Sequence, residues 1–111
     1  MDIKNILVVC VGNICRSPMA EYLLKQQYSN FIIESAGISG LTGRAADAKA
    51  QLCMQRLNID ISQHVARKLN VEQLKQADLV LVMSHNQQKH IEQMWPFAKG
   101  KIFRLGHWQN K

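Results

Sequence analysis

The stretch Ile6-Leu7-Val8-Val9-Cys10-Val11-Gly12-Asn13-Ile14-Cys15-Arg16-Ser17-Pro18 decides the fold of this chain and the place of its chemistry. Ile6 to Val9 is an apolar run rich in β-branched residues and without polar alternation, the pattern of a parallel strand covered on both faces. Ser17-Pro18 predicts a helix start, with Ser17 as cap, Pro18 at the first helical position and Glu21 in the first turn. Between strand and helix lie a thiol, a glycine that lets backbone approach a ligand closely, and a guanidinium. A strand, a tight loop and a helix N-terminus in that order gather backbone N–H groups and the positive end of a helix dipole around one point, which suits a phosphate-like anion. Arg16 adds a planar fork able to hold two oxygens at once. The same positive field favours the thiolate of Cys10, the form that acts as nucleophile. Attack of sulfur on a phosphate ester is the chemistry these parts predict.

The spacing of Cys10 and Arg16 is uninformative by itself. With three cysteines and five arginines among 111 residues, chance supplies such a pair in roughly one chain of seven. The strand, the glycine and the helix start around the pair make it specific.

Outward from this loop, strands and helices alternate. Strands are expected at residues 4–9, 31–35, 79–83 and 101–105. Helices are expected at 18–28, with Ala20, Leu23, Leu24 and Tyr28 on one face, and at 45–57, with Ala46, Ala50, Cys53 and Leu57 inward. Cys53 thus reads as core packing. Asn70 and Gln73 form a capping-box signature for a short third helix, and a fourth starts near Ser84 and buries Ile91, Met94 and Trp95. This alternation predicts the α/β class: three layers, a four-stranded parallel sheet flanked by helices, with right-handed crossovers. Ligands in such sheets bind beyond the carboxyl ends of the strands at the topological switch point, and Cys10 ends the first strand.

A length of 111 residues bounds the chain to a single domain, 1–111, and 47% hydrophobic residues are enough for a packed interior. No run of 18 apolar residues occurs, and Asp2, Lys4 and Asn5 break the first apolar stretch before any signal-peptide pattern forms. The expectation is therefore no membrane insertion and a cytoplasmic location. Three cysteines agree with a reducing compartment. The charge of +6 is scattered, without a basic run or aromatic–basic interleaving, so no nucleic-acid partner is expected. It suits an anionic substrate instead. His64 has no partner at metal-ligand spacing, and neither metal nor cofactor is expected.

Val9-Cys10-Val11-Gly12-Asn13-Ile14-Cys15-Arg16-Ser17-Pro18-Met19-Ala20-Glu21 resembles the phosphate loop of the low-molecular-weight protein-tyrosine phosphatases. Glu34-Ser35-Ala36-Gly37, His64-Val65-Ala66-Arg67, Asp78-Leu79-Val80-Leu81-Val82-Met83 and Gly106-His107-Trp108 are similar to further segments of that family, in its order. The branch most resembled is the bacterial one that works opposite tyrosine autokinases in exopolysaccharide production. The resemblance implies hydrolysis of phosphotyrosine in a protein such as that kinase, through a phosphocysteine intermediate on Cys10. Arg16 then binds phosphate and neutralises charge developing in the transition state, with the loop residues Val11, Gly12, Asn13, Ile14, Cys15 and Ser17 contributing to the cradle. It further implies that Asn13 braces the loop and that Ser17 donates to the thiolate. His64 joins their network, and Leu41 forms a pocket wall. Cys15 is open to two readings, an apolar filler or the partner of Cys10 in a protective reversible disulfide.

The family's general acid is an Asp in an Asp-Pro motif downstream of the region that here ends at Gly106-His107-Trp108-Gln109-Asn110-Lys111, and these residues contain no such motif. None of Asp2, Asp47, Asp60 or Asp78 is an evident substitute; Asp47 is expected to start the second helix and Asp78 to lead into the third strand. The resemblance thus implies a domain truncated before the acid loop and last helix, with catalysis slowed by about 10²–10⁴ for poor leaving groups. A thioredoxin-coupled arsenate reductase shares the loop and fold but needs cysteines after Cys53, and none occurs. A protein-arginine phosphatase carries Thr where Ile14 stands. A phosphate- or phosphotyrosine-binding module without turnover is the alternative from another functional class.

Overall fold

The computed structural model describes residues 3–39 and 42–104. Its elements run β1 (Asn5–Cys10), α1 (Arg16–Gln27), β2 (Ile32–Gly37), α2 (Ala48–Gln55), α3 (Val71–Gln76), β3 (Leu79–Val82), α4 (His85–Met94), a 3₁₀ turn (Pro96–Ala98) and β4 (Ile102–Arg104). The four strands form one parallel sheet in the order β2-β1-β3-β4, with Cys10 opposite Gly37 and Val9 opposite Val82. After β1 the chain crosses to β2 on one side, then returns to place β3 on the other. The carboxyl end of β1 is therefore the switch point, where the loops after β1 and β3 part and leave a crevice.

Both faces of β1 are covered, which explains its unbroken apolar run. Leu7 and Val9 pack with Val80, Val82 and Ile102 beneath Leu74 of α3 and Ile91 of α4. Ile6, Val8 and Ile33 face the other way, against Ala20 and Leu24 of α1. A third cluster fixes α2 on the flank of α1: Ala50 and Met54 pack with Ile61 against Met19 and Tyr22.

The helix starts hold the main departures from expectation. Helix α1 begins at Arg16, not Pro18, and Cys15 occupies the cap position without a side-chain bond. Ser17 lies inside the first turn, fully buried, and is no cap. Glu21 sits beyond the first turn and is buried. Leu23 and Tyr28 are largely exposed, since only the Ala20–Leu24 side of α1 reaches the sheet. Helix α2 is shorter than its apolar spacing predicts. Asp47 caps it by accepting from the Lys49 N–H at 3.1 Å, and it ends at Gln55, so Cys53 and Leu57 are exposed while Met54 is inward. Met94, expected to be buried, is exposed, because α4 ends there, whereas Ile91 is buried and Trp95 packs against the core. The Asn70–Gln73 capping box and the Ser84 cap form as expected.

Asp78 ties β3 to the start of β1, since its carboxylate accepts from the N–H groups of Asn5 and Lys4 at 2.9 Å each. These bonds, the one from Asn5 first, hold its pKa below the ordinary 3.8 against a smaller opposing effect of desolvation. The folded value is the lower one. The stabilisation is thus complete above the unfolded value and is lost as pH falls through the folded one. Asp78→Asn keeps an acceptor oxygen but cannot titrate. Denaturant melts from about pH 5 to pH 2 are expected to show a shallower acid-side loss of stability in this variant than in the wild type.

Candidate active site

The carbonyls of Cys10, Val11, Asn13, Ile14 and Cys15 each meet a partner outside the interior of the loop. Cys10 O accepts from Ile38 N at 2.9 Å, Val11 O from Ser39 N at 2.8 Å and Ile14 O from Asp47 N at 2.6 Å. Asn13 O meets His64 Nε2 at 2.7 Å, and Cys15 O accepts from Met19 N at 3.3 Å within the helix start. A peptide unit is planar and trans, so each N–H points opposite to the carbonyl that precedes it. The N–H groups of Val11, Gly12, Ile14, Cys15 and Arg16 are thereby turned toward the inside of the loop. None donates to an acceptor among the described residues. The N-terminus of α1 opens onto the same space, where its first N–H groups have no intrahelical partner. Backbone alone therefore gathers N–H donors able to hold an anion, close to the sulfur of Cys10.

Asn13 makes this geometry possible. It adopts the left-handed conformation (φ 59°), which Asn tolerates better than most side chains, and it is fully buried. Its N–H, unlike its neighbours', donates to Cys10 Sγ at 3.3 Å. Its side chain is satisfied on every side: Oδ1 accepts from Arg67 N at 2.9 Å, and Nδ2 donates to Ser17 Oγ and Ser35 Oγ at 2.8 Å each.

That network fixes a direction of hydrogen bonding. Glu21 is buried, forms an ion pair with Lys25 at 2.6 Å, and accepts from Ser35 Oγ. Ser35 therefore gives its hydrogen to Glu21 and accepts from Asn13. Ser17 likewise accepts from Asn13, which leaves its own hydrogen for Cys10 Sγ, 2.9 Å away. The sulfur thus receives an O–H and an N–H donor, an environment that stabilises a thiolate.

His64 is buried and touches the network through the Asn13 backbone, not through Ser17. Arg16 is exposed and lines the mouth with Cys10, Val11, Gly12, Ile14 and Cys15, in a cavity of about 310 Å³ whose far wall is Met83, Ser84 and Gln87. Cys15 is exposed; partial desolvation, then the Asp47 carboxylate and Cys10, push its thiol up against the opposing effect of Arg16. Cys15 therefore stays protonated near neutral pH. Leu41 lies outside the described residues. The described lining includes no carboxyl group.

Sequence reasoning did not find the roles of Glu21, Ser35, Gly37 and Gln87. Full burial of a Ser in β2, beside the exposed Glu34, is the signal that marks Ser35 afterwards. A Cβ on Gly37 would stand 2.8 Å from Gly12 C and Val11 O and 2.9 Å from Asn13 N, so the loop can rest on β2 only because this residue has no side chain.

A family model described as "Low molecular weight phosphotyrosine protein phosphatase" matches residues 5–111. The low molecular weight protein-tyrosine-phosphatase Ptp of Acinetobacter johnsonii is 75% identical over 111 residues, covering 100% of this chain and 78% of that protein. The probable low molecular weight protein-tyrosine-phosphatase EpsP of Ralstonia solanacearum is 48% identical over 104 residues, 94% of this chain and 72% of its own length. Among solved structures, the tyrosine phosphatase Wzb from Escherichia coli K30 in complex with sulphate superposes with a TM-score of 0.93 at 34% identity, covering 99% of this chain and 77% of that one.

Proposed function

The chain belongs to the low molecular weight phosphotyrosine protein phosphatases, and on that premise we propose that it hydrolyses phosphotyrosine in proteins through a phosphocysteine intermediate on Cys10. The observation that carries this reading is the set of inward-turned N–H groups over a sulfur that accepts two hydrogen bonds. In the first step the Cys10 thiolate attacks phosphorus in line, an S–P bond forms and the P–O bond to the tyrosyl oxygen breaks. The loop amides and the Arg16 guanidinium hold the non-bridging oxygens and meet the charge that develops on them. In the second step water attacks phosphorus, the S–P bond breaks and inorganic phosphate leaves. The Ser17 hydroxyl stabilises the departing thiolate, and Asn13, Ser35, Glu21 and His64 hold the loop and the direction of its hydrogen bonds. The Escherichia coli K30 relative was solved in complex with sulphate, a tetrahedral oxyanion like phosphate, which supports an oxyanion-binding reading.

Depth supports the aryl ester. Cys10 is only 7% exposed among the residues that line the cavity, a burial that favours a long, flat phenolic ester over the short methylene of phosphoserine. The test is turnover of a phosphotyrosyl peptide beside the same peptide carrying phosphoserine. Preference for the tyrosyl ester is expected; equal or reversed rates would contradict the reading. With no carboxyl group in the described lining, these 111 residues are expected to favour activated aryl phosphates over phosphotyrosine, since a positioned general acid is worth about 10²–10⁴. A bacterial tyrosine autokinase is the proposed protein substrate and the cytoplasm the proposed location. Among the described residues no helix is long and apolar enough to cross a membrane. Cys15, as the protonated and exposed thiol beside Cys10, is the proposed resolving partner if an oxidant such as hydrogen peroxide converts Cys10 to the sulfenic acid, closing a disulfide with loss of water.

A further inference from the structure

The cavity wall opposite the phosphate loop comes from the junction of β3 and α4, and Gln87 stands half-buried in it. Its carboxamide is anchored. Oε1 accepts the Met83 N–H at 2.8 Å, while the N–H of Gln87 itself donates to Ser84 Oγ at 3.2 Å. A flipped amide would set Nε2 against the Met83 N–H, donor against donor, so the orientation follows from the neighbours. The two hydrogens of Nε2 then meet no acceptor among the described residues, and the atom is not sealed from solvent. The cavity it lines holds Cys10, Arg16 and no carboxylate. A phosphate ester presents acceptors only, and an anchored amide with two spare donors is complementary to it. The positive end of the ten-residue helix α4 opens toward the same wall.

We infer that Gln87 is a substrate-binding residue that donates from Nε2 to an oxygen of the bound phosphoryl ester, across the cavity from the loop amides. The assignment rests on the phosphatase reading above. It gives the ester a second point of hold, on an element that neither the loop nor α1 supplies. Gln87 also caps α4, so the test has to separate donor from cap. Gln87→Glu keeps the acceptor that caps Met83 but loses the donor. Gln87→Leu loses both and stays neutral. Asn86→Asp, one residue away, exposed and outside the lining, adds a charge at the same helix start.

Calorimetric titration with inorganic phosphate reads binding without turnover. Affinity is expected to fall about fivefold in Gln87→Leu and about tenfold in Gln87→Glu, the latter with an unchanged thermal midpoint, and to stay within about twofold in Asn86→Asp. Wild-type affinity in either Gln87 variant overturns the assignment, and so does an equal loss in Asn86→Asp. A wild-type chain that binds no phosphate overturns the phosphatase reading and this assignment with it, whereas binding that ignores Gln87 overturns the assignment alone.

Discussion

Cys10→Ser is expected to lower kcat on an aryl phosphate by more than about 10⁴, with phosphate affinity retained within a few-fold. The serine hydroxyl would have to lose a proton to attack, and the cavity gives it nowhere to go. Its lining holds no carboxyl group or histidine among the described residues. The two groups that reach the sulfur, Asn13 N–H and Ser17 O–H, are both donors in this network. They can stabilise a thiolate but cannot take the proton from a serine hydroxyl, which ionises far less readily than a thiol. The cradle itself consists of backbone N–H groups and Arg16, none of which the substitution touches, so phosphate continues to bind. Steady-state kinetics and phosphate inhibition on the same preparation check both halves. A variant that keeps a tenth of the wild-type rate would show that sulfur is not the nucleophile.

Gly37→Ala is expected to do its damage by the opposite route, through the cradle with the nucleophile intact. The added Cβ would meet Gly12 C and Val11 O at 2.8 Å and Asn13 N at 2.9 Å, all backbone atoms that cannot rotate aside. Nor can β2 retreat, because Gly37 N donates to Arg67 O at 2.8 Å and Gly37 O accepts from Leu69 N at 2.7 Å. The loop has to move instead. A misplacement of about 1 Å in groups aimed at one phosphoryl centre costs about 10² in kcat/KM, so the smaller shift forced here is expected to cost about tenfold, and the overpacking costs about 1–3 kcal/mol of stability. Phosphate affinity is expected to fall with the rate, which separates this variant from Cys10→Ser. Wild-type phosphate affinity in a folded Gly37→Ala protein would show that the loop does not depend on this contact.

What was legible in the sequence was what is local. The run from Ile6 to Pro18 carries its strand, its glycine and its helix start within thirteen consecutive residues, and the alternation of apolar segments carries the parallel sheet. Ser17 shows where local reasoning misleads. Before a Pro it has the grammar of a cap, but the helix begins at Arg16 and its first N–H groups are left open for an anion, so the hydroxyl serves Cys10 and Asn13 instead. Glu21 has the look of a surface charge complementing a dipole, yet its partner Ser35 lies 14 positions away, on strand β2. A buried polar network has no period, and nothing along the chain announces which of its serines will face a carboxylate. Gln87 falls in a stretch of polar residues at a helix start. Only the packing of β3 beside β1 brings it to the cavity that Cys10 occupies. In α2 the apolar spacing runs on to Leu57, whereas the helix stops at Gln55 and Cys53 is exposed.

The most direct test is to quench the reaction of the protein with a labelled phosphotyrosyl peptide within the first turnover and map the label. The account predicts a phosphoryl group on sulfur, carried by the peptide that contains Cys10, formed at the rate of phenol release and absent in Cys10→Ser. Phenol released in a burst with no label on Cys10, or label on any other residue, would contradict it.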